Sequence, residues 1–155
     1  MNTSLFRQAS FLRRVMAQLV DSIILMVVNG LVQGGFFSIA NWVLNRVQGL
    51  DYEATERFAG PVADIAGGLT FATLAFIYYV YFHFERQATL GKQLMHIRVV
   101  DTLGGKPTLP ATVKRTIWSA ISYLPLNLGY WMALFRKDGA TLHELMSDTR
   151  TEYRL

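Results

Sequence analysis

The chain has 155 residues, room for one domain, and 52% of them are hydrophobic against 17% charged, a mix that excludes an ordinary soluble domain. A net charge of +4 does not mark a nucleic-acid binder here, because the basic residues neither line a face with interleaved aromatics nor belong to a nucleic-acid motif. With no cysteine, disulfides, thiol catalysis and thiolate metal sites are excluded too.

Ser10 is a candidate N-cap, and helix is expected from it through Leu44. Within that stretch Ser22 to Leu44 carries no charge over 23 residues, enough for a span. The whole stretch would measure about 50 Å against roughly 30 Å of hydrocarbon, so part of it must lie outside, tilt or bend. Gly30 to Gly35 is the expected bend, and Gly30 with Gly34 forms a GxxxG step suited to helix packing. The basic start followed by this long apolar run reads as an uncleaved signal anchor. Arg14 and Asp21 are seven positions apart, on one helix face and about 10 Å apart along the axis. A carboxylate in a membrane helix must face protein or water, find a partner or take up a proton. Asp21 either lies in the headgroup region or is buried and paired, and the second is the expectation.

Asn45 to Pro61 reads as a polar loop, with Pro61 suited to a helix start and Asp64 to the first turn of that helix, a transport role for Asp64 being the alternative. Ile65 to Phe84 is the second apolar run, with His83 its only ionisable residue. Gly67 and Gly68, with nearby alanines, favour close helix packing. Tyr78, Tyr79, Tyr81, Phe82 and Phe84 look like an aromatic belt; His83 among them could relay protons, and an interface position is the expectation.

From Thr89 the pattern changes. Thr89-Leu-Gly91-Lys92 leads into the alternating, β-branched Ile97-Arg98-Val99-Val100-Asp101, and Gly104-Gly105 turns the chain toward Lys106-Pro107-Thr108-Leu109, which reads as a β-hairpin over about 95–110. Gly91-Lys92 lacks the rest of a phosphate loop, so nucleotide binding is rejected. Lys92, Arg98 and Lys106 suit either anionic headgroups or a solvated basic loop. The third apolar run, Thr116 to Phe135, is broken by Pro125, with Asn127 and Gly129 just beyond. It either crosses as a kinked span or returns as a re-entrant pair. The tail from Thr149 alternates like a strand whose available partner is the hairpin, so the returning form is expected. Basic residues concentrate before the first run and between the second and third, which places the N-terminus and the 85–115 segment in the cytoplasm.

These residues together resemble the RDD family, named for one arginine and two aspartates. Arg14, Ala17 and Asp21 match its R-x-x-A-x-x-x-D in the first helix, and Thr89, Gly91 and Lys92, then Arg98 and Asp101, then Gly104-Gly105, match its TLGK-to-RVVD-to-glycine segment. Arg115 stands where the family has an arginine before its last apolar run. The closing motif departs: His143-Glu144 replaces His-Asp, and Asp148-Thr149 replaces Gly-Thr. Glu144 then stands in for the second aspartate, the alternative being Asp148. The second histidine of a zinc-protease HExxH is missing after His143-Glu144.

The fold expected is an all-α membrane protein in one domain, 1–155. It has two transmembrane helices (about 20–44 and 62–84), a Pro-broken third segment (about 111–136), a small cytoplasmic hairpin and a C-terminal strand. The resemblance implies a bacterial inner-membrane protein, with transport of ions or small solutes, including cation/proton exchange, proposed for the family. Arg14, Asp21, His143 and Glu144 are then candidates for ion coupling or for a helix clamp. The alternative is an accessory or assembly subunit of a larger membrane complex, and either role suits a homo-oligomer. No nucleophile and base pair or metal cluster is legible, so neither an enzyme nor a cofactor is expected.

Overall fold

A computed structural model of the chain describes residues 8–49, 52–123, 128–136 and 139–154. The chain divides into two compact units, Met1–Asp21 with Phe76–Leu155, and Ser22–Ala75. Helix α1, Phe11–Gln48, and helix α2, Tyr52–Glu85, each contribute to both. They are the two described helices long and apolar enough to cross a membrane.

α1 starts where expected, with the Arg14 N–H donating to the Ser10 carbonyl at 3.2 Å. It stays helical through Gly30 and Gly35, where the sequence suggested a bend. Phe11–Asp21 is built into the first unit. The polar loop expected over Asn45–Pro61 is a correction. α1 runs on to Gln48 and α2 begins at Tyr52, leaving Pro61 inside α2. Proline removes one backbone donor, yet the flanking Glu53, Ala54, Glu56, Ala59 and Ala63 are good helix formers.

In the Ser22–Ala75 unit the large apolar side chains point outward: Met26, Leu31, Ile39, Ile65 and Leu69 are all more than 60% exposed. Outward apolar faces suit a lipid solvent, which satisfies neither backbone nor side-chain polar groups. The helices approach at Gly67, where an added Cβ would lie 3.3 Å from the Gln33 side chain. A Cβ at Gly30, Gly34 or Gly68 would meet nothing within 4 Å. A groove of about 600 Å³ is lined by Asn29, Gln33, Gly34, Phe37, Asp64 and Gly67 among others.

The first unit holds the remaining elements: α3, Leu90–Leu94; β1, Ile97–Asp101; α4, Leu109–Tyr123; α5, Leu128–Phe135; α6, Leu142–Met146; and β2, Thr149–Tyr153. β1 pairs antiparallel with β2, with Ile97 opposite Tyr153, Val99 opposite Thr151 and Asp101 opposite Thr149. On the far edge of β2, Gln8 bridges Glu152, and the Ala9 N–H donates to the Thr151 carbonyl at 3.0 Å. β2 therefore lies between the N-terminal segment and β1. The tail strand matches expectation, but the 95–110 hairpin is corrected. Asp101 Oδ1 accepts the Leu103 and Gly105 N–H groups and so closes the turn. Pro107 cannot donate to a ladder, and Thr108 then enters α4, its carbonyl accepting the Thr112 N–H at 3.0 Å. Ala9, Ala17 and Ile97 form a small core flanked by Met95 and Tyr153.

α4 and α5 pack on each other and both pack on α6. The break expected at Pro125 and Asn127 lies outside the described residues, and Gly129 falls in the first turn of α5.

Candidate functional site

The first unit buries an unusual density of charge. Arg14, Asp21, Lys92, Arg115 and Glu144 are each at most 8% exposed. Buried charges persist only when paired and hydrogen-bonded, and the partners identify the logic of the site.

Arg14, Ala17 and Asp21 share the inner face of α1, as their spacing requires. Arg14 and Asp21 nevertheless do not pair with each other. One Arg14 nitrogen donates to Glu144 Oε2 at 2.9 Å and another to the Gly139 carbonyl at 2.8 Å. Asp21 instead takes the start of the Thr89 turn. Its Oδ2 accepts the Thr89 hydroxyl at 2.6 Å, while Oδ1 accepts the Gly91 N–H at 2.8 Å and the Tyr78 hydroxyl at 2.7 Å. A pair of side chains two turns apart is too distant for direct contact, so each reaches across to another element.

Glycine at 91 is required by this approach. A Cβ there would lie 2.1 Å from the Ala17 carbonyl oxygen, inside any permitted contact. Thr89 caps α3, accepting the Lys92 N–H at 3.3 Å while donating to Asp21. Lys92 then points inward, with Nζ 2.6 Å from His83 Nε2. His83, stacked on Tyr79, is 3% exposed.

Arg115 enters from α4. It donates to the hydroxyls of Thr149 at 2.6 Å and Thr151 at 2.9 Å, and lies 3.5 Å from Glu144 Oε1. Glu144 thus receives two guanidiniums. Its Oε2 also accepts the Thr141 N–H at 3.0 Å, the return arm of a capping box on α6. His143 is buried beside it, Nε2 lying 3.0 Å from the Thr141 hydroxyl. Asp148 is exposed and has φ +52°, a left-handed conformation that suits the glycine expected there from the family pattern. The buried carboxylate of this pair is Glu144.

Charge states follow from these surroundings. Burial alone would raise the Glu144 carboxyl, but Arg115 and Arg14 outweigh it and hold the group at about 2. Burial, with Arg115 adding to it, lowers the Lys92 ammonium to about 7. The same two causes push the His143 imidazole well below its ordinary value.

Thr89, Gly91, Lys92 and Arg115 are buried, which removes them from any headgroup contact. Arg98 is half-exposed but paired with Glu152 at 2.8 Å, and Asp101 is occupied by its turn. Sequence reasoning missed Tyr78, Thr149 and Thr151, and for His83 it preferred the interface to a proton role. The threonines carried a signal, since alternate strand positions share a face. Tyr78 carried a weaker one, being a polar tip inside an apolar run. Among the described residues no three His, Asp or Glu side chains are placed to hold a metal ion.

The site therefore gathers the R-x-x-A-x-x-x-D, TLGK and His-Glu motifs and Arg115 into one buried network, and the RDD family model matches residues 8–148. The chain belongs to the RDD family. No curated protein and no solved structure matches it. As an RDD-family chain with two helices able to cross a bilayer, it is a membrane protein. The RDD motif residues of this chain act through partners on other elements: the arginine of α1 on Glu144, and the aspartate of α1 on the Thr89 turn.

Proposed function

We propose that this RDD protein is a non-enzymatic accessory or assembly subunit of a larger membrane complex or homo-oligomer, with Arg14, Asp21 and Glu144 serving as a helix clamp. The observation that carries this reading is the internal saturation of Asp21. It accepts three hydrogen bonds from Tyr78, Thr89 and Gly91, all within its own unit, and so is committed to structure. The uncovered small-residue positions Gly30, Gly34 and Gly68 supply room for a neighbouring helix from another chain. Topology follows the same proposal. The N-terminal segment, β1 and β2 share one sheet, which supports a third apolar segment that returns instead of crossing. The positive-inside distribution supports a cytoplasmic position for that sheet, and the family a bacterial membrane.

The test compares Arg14→Ala and Asp21→Asn for accumulation of folded protein and for recovery of stoichiometric partner subunits. The clamp predicts reduced accumulation in both variants and co-purification of partners with the wild type. Normal folding of both variants would remove it.

Cation/proton exchange is the second reading, favoured by the groove that brings Asn29, Gln33 and Asp64 together between apolar helices. An ionisable residue such as Asp64 within a membrane helix is a candidate for a solute or proton path. On this reading Asp64→Asn abolishes proton-coupled sodium or potassium flux in liposomes while leaving the fold intact. A well-folded wild type with no flux above empty liposomes rejects it.

A further inference from the structure

Arg14 and Arg115 each meet Glu144, and Arg98 meets Glu152, whereas the buried Lys92 has no carboxylate partner among the described residues; its Nζ faces His83 Nε2 at 2.6 Å. At that distance one nitrogen must donate to the other, and an ammonium donating to Nε2 leaves the ring proton on Nδ1. His83 Nδ1 is buried with no partner among the described residues. One link of the network is therefore incompletely satisfied, and it lies between two basic groups.

We propose that the Lys92–His83 pair is a proton-binding site, which takes up and releases one proton and thereby changes the grip of α3 on Asp21. With the proton present the contact is a charge-assisted N–H···N bond; without it the bond is neutral and weaker. Every neighbouring element presents a charged or titratable group to the pair: Asp21 and Arg14 from α1, Arg115 from α4, His143 and Glu144 from α6. Of these, Arg115 opposes the added charge most strongly, while Asp21 and Glu144 favour it. Burial and Arg115 together hold Lys92 at about 7, within reach of physiological pH.

The mechanical link is short. Lys92 belongs to the same helical turn as Thr89, which accepts the Lys92 N–H and donates to Asp21. A change in the Lys92 tether therefore reaches Asp21 through one residue. This proton site stands whether the protein transports or assembles, because it concerns neither flux nor a partner.

The experiment is a pH titration, from 5 to 11, of the full chain in detergent micelles with nitrogen-15 in its lysine and histidine side chains. The sequence has four lysines and three histidines, so the spectra are simple. One lysine Nζ should titrate close to neutrality, and the His83 ring signals should shift in the same step. In Lys92→Met that lysine signal and that His83 step should both be lost, while hydrogen-exchange protection of residues 89–94 becomes independent of pH after correction for intrinsic rates. All four lysines titrating in the ordinary range near 10.5 would overturn the proposal, as would a His83 step that survives in Lys92→Met. Should Lys92→Met fail to fold, the wild-type lysine titration decides the matter alone.

Discussion

Arg14 illustrates what a buried charge demands. Removing one partner of such a pair strands the other, which typically costs about 3–5 kcal/mol. Arg14→Ala should therefore destabilise the protein by that order, measured by chemical denaturation in micelles, and more than Arg98→Ala, whose side chain is half-exposed. Glu144 gives a pH prediction. Its folded value of about 2 lies below its ordinary 4.5, so its contribution is full above pH 4.5 and is lost as pH falls toward 2. The loss should be about 3 kcal/mol and should be absent in Glu144→Gln. Lys92 behaves with the same sign in another window: its depressed value makes wild type gain stability as pH rises from about 7 toward 10.5, and Lys92→Met should lack that slope. Gly91→Ala should prevent folding, because its Cβ collides with the Ala17 carbonyl, whereas Gly34→Ala should leave the isolated chain unchanged. At this scale the shared face of Arg14, Ala17 and Asp21 was legible, since helical spacing alone dictates it. Their partners were not: Arg14 meets Glu144 across 130 residues of chain, and no local pattern encodes such a pairing.

Secondary structure was legible where composition enforces it and misleading where two solutions share one pattern. The apolar runs of α1 and α2 and the alternation of β1 and β2 follow from periodicity. The Gly104-Gly105 turn suggested that β1 pairs with the residues immediately following it. Pro107 and the entry into α4 forbid that, and β2 takes the place instead. Paired cysteines test this in a chain that has none of its own. Arg98→Cys with Glu152→Cys, opposite one another in register, should crosslink on mild oxidation. Arg98→Cys with Leu109→Cys, the pairing of a hairpin, should not.

Across the whole molecule, two kinds of solvent shape two kinds of surface. The Ser22–Ala75 unit turns large apolar side chains outward, which is how a chain adapts to lipid. The other unit hides arginines, a lysine and carboxylates, which pays only where every charge finds a counterpart. The candidate site lies in the second kind of environment, and its motif residues could be recognised from their spacing although the assembly they form could not. That assembly also has an order in time. Arg14 is synthesised well before Glu144, the carboxylate it requires, and at about 5–20 residues per second the interval is on the order of ten seconds. During that interval the nascent first helix carries an unanswered guanidinium. A chain stalled before Glu144 keeps it unanswered, so the ribosome's arrival at that codon separates a product that can settle in the bilayer from one that presents itself for degradation.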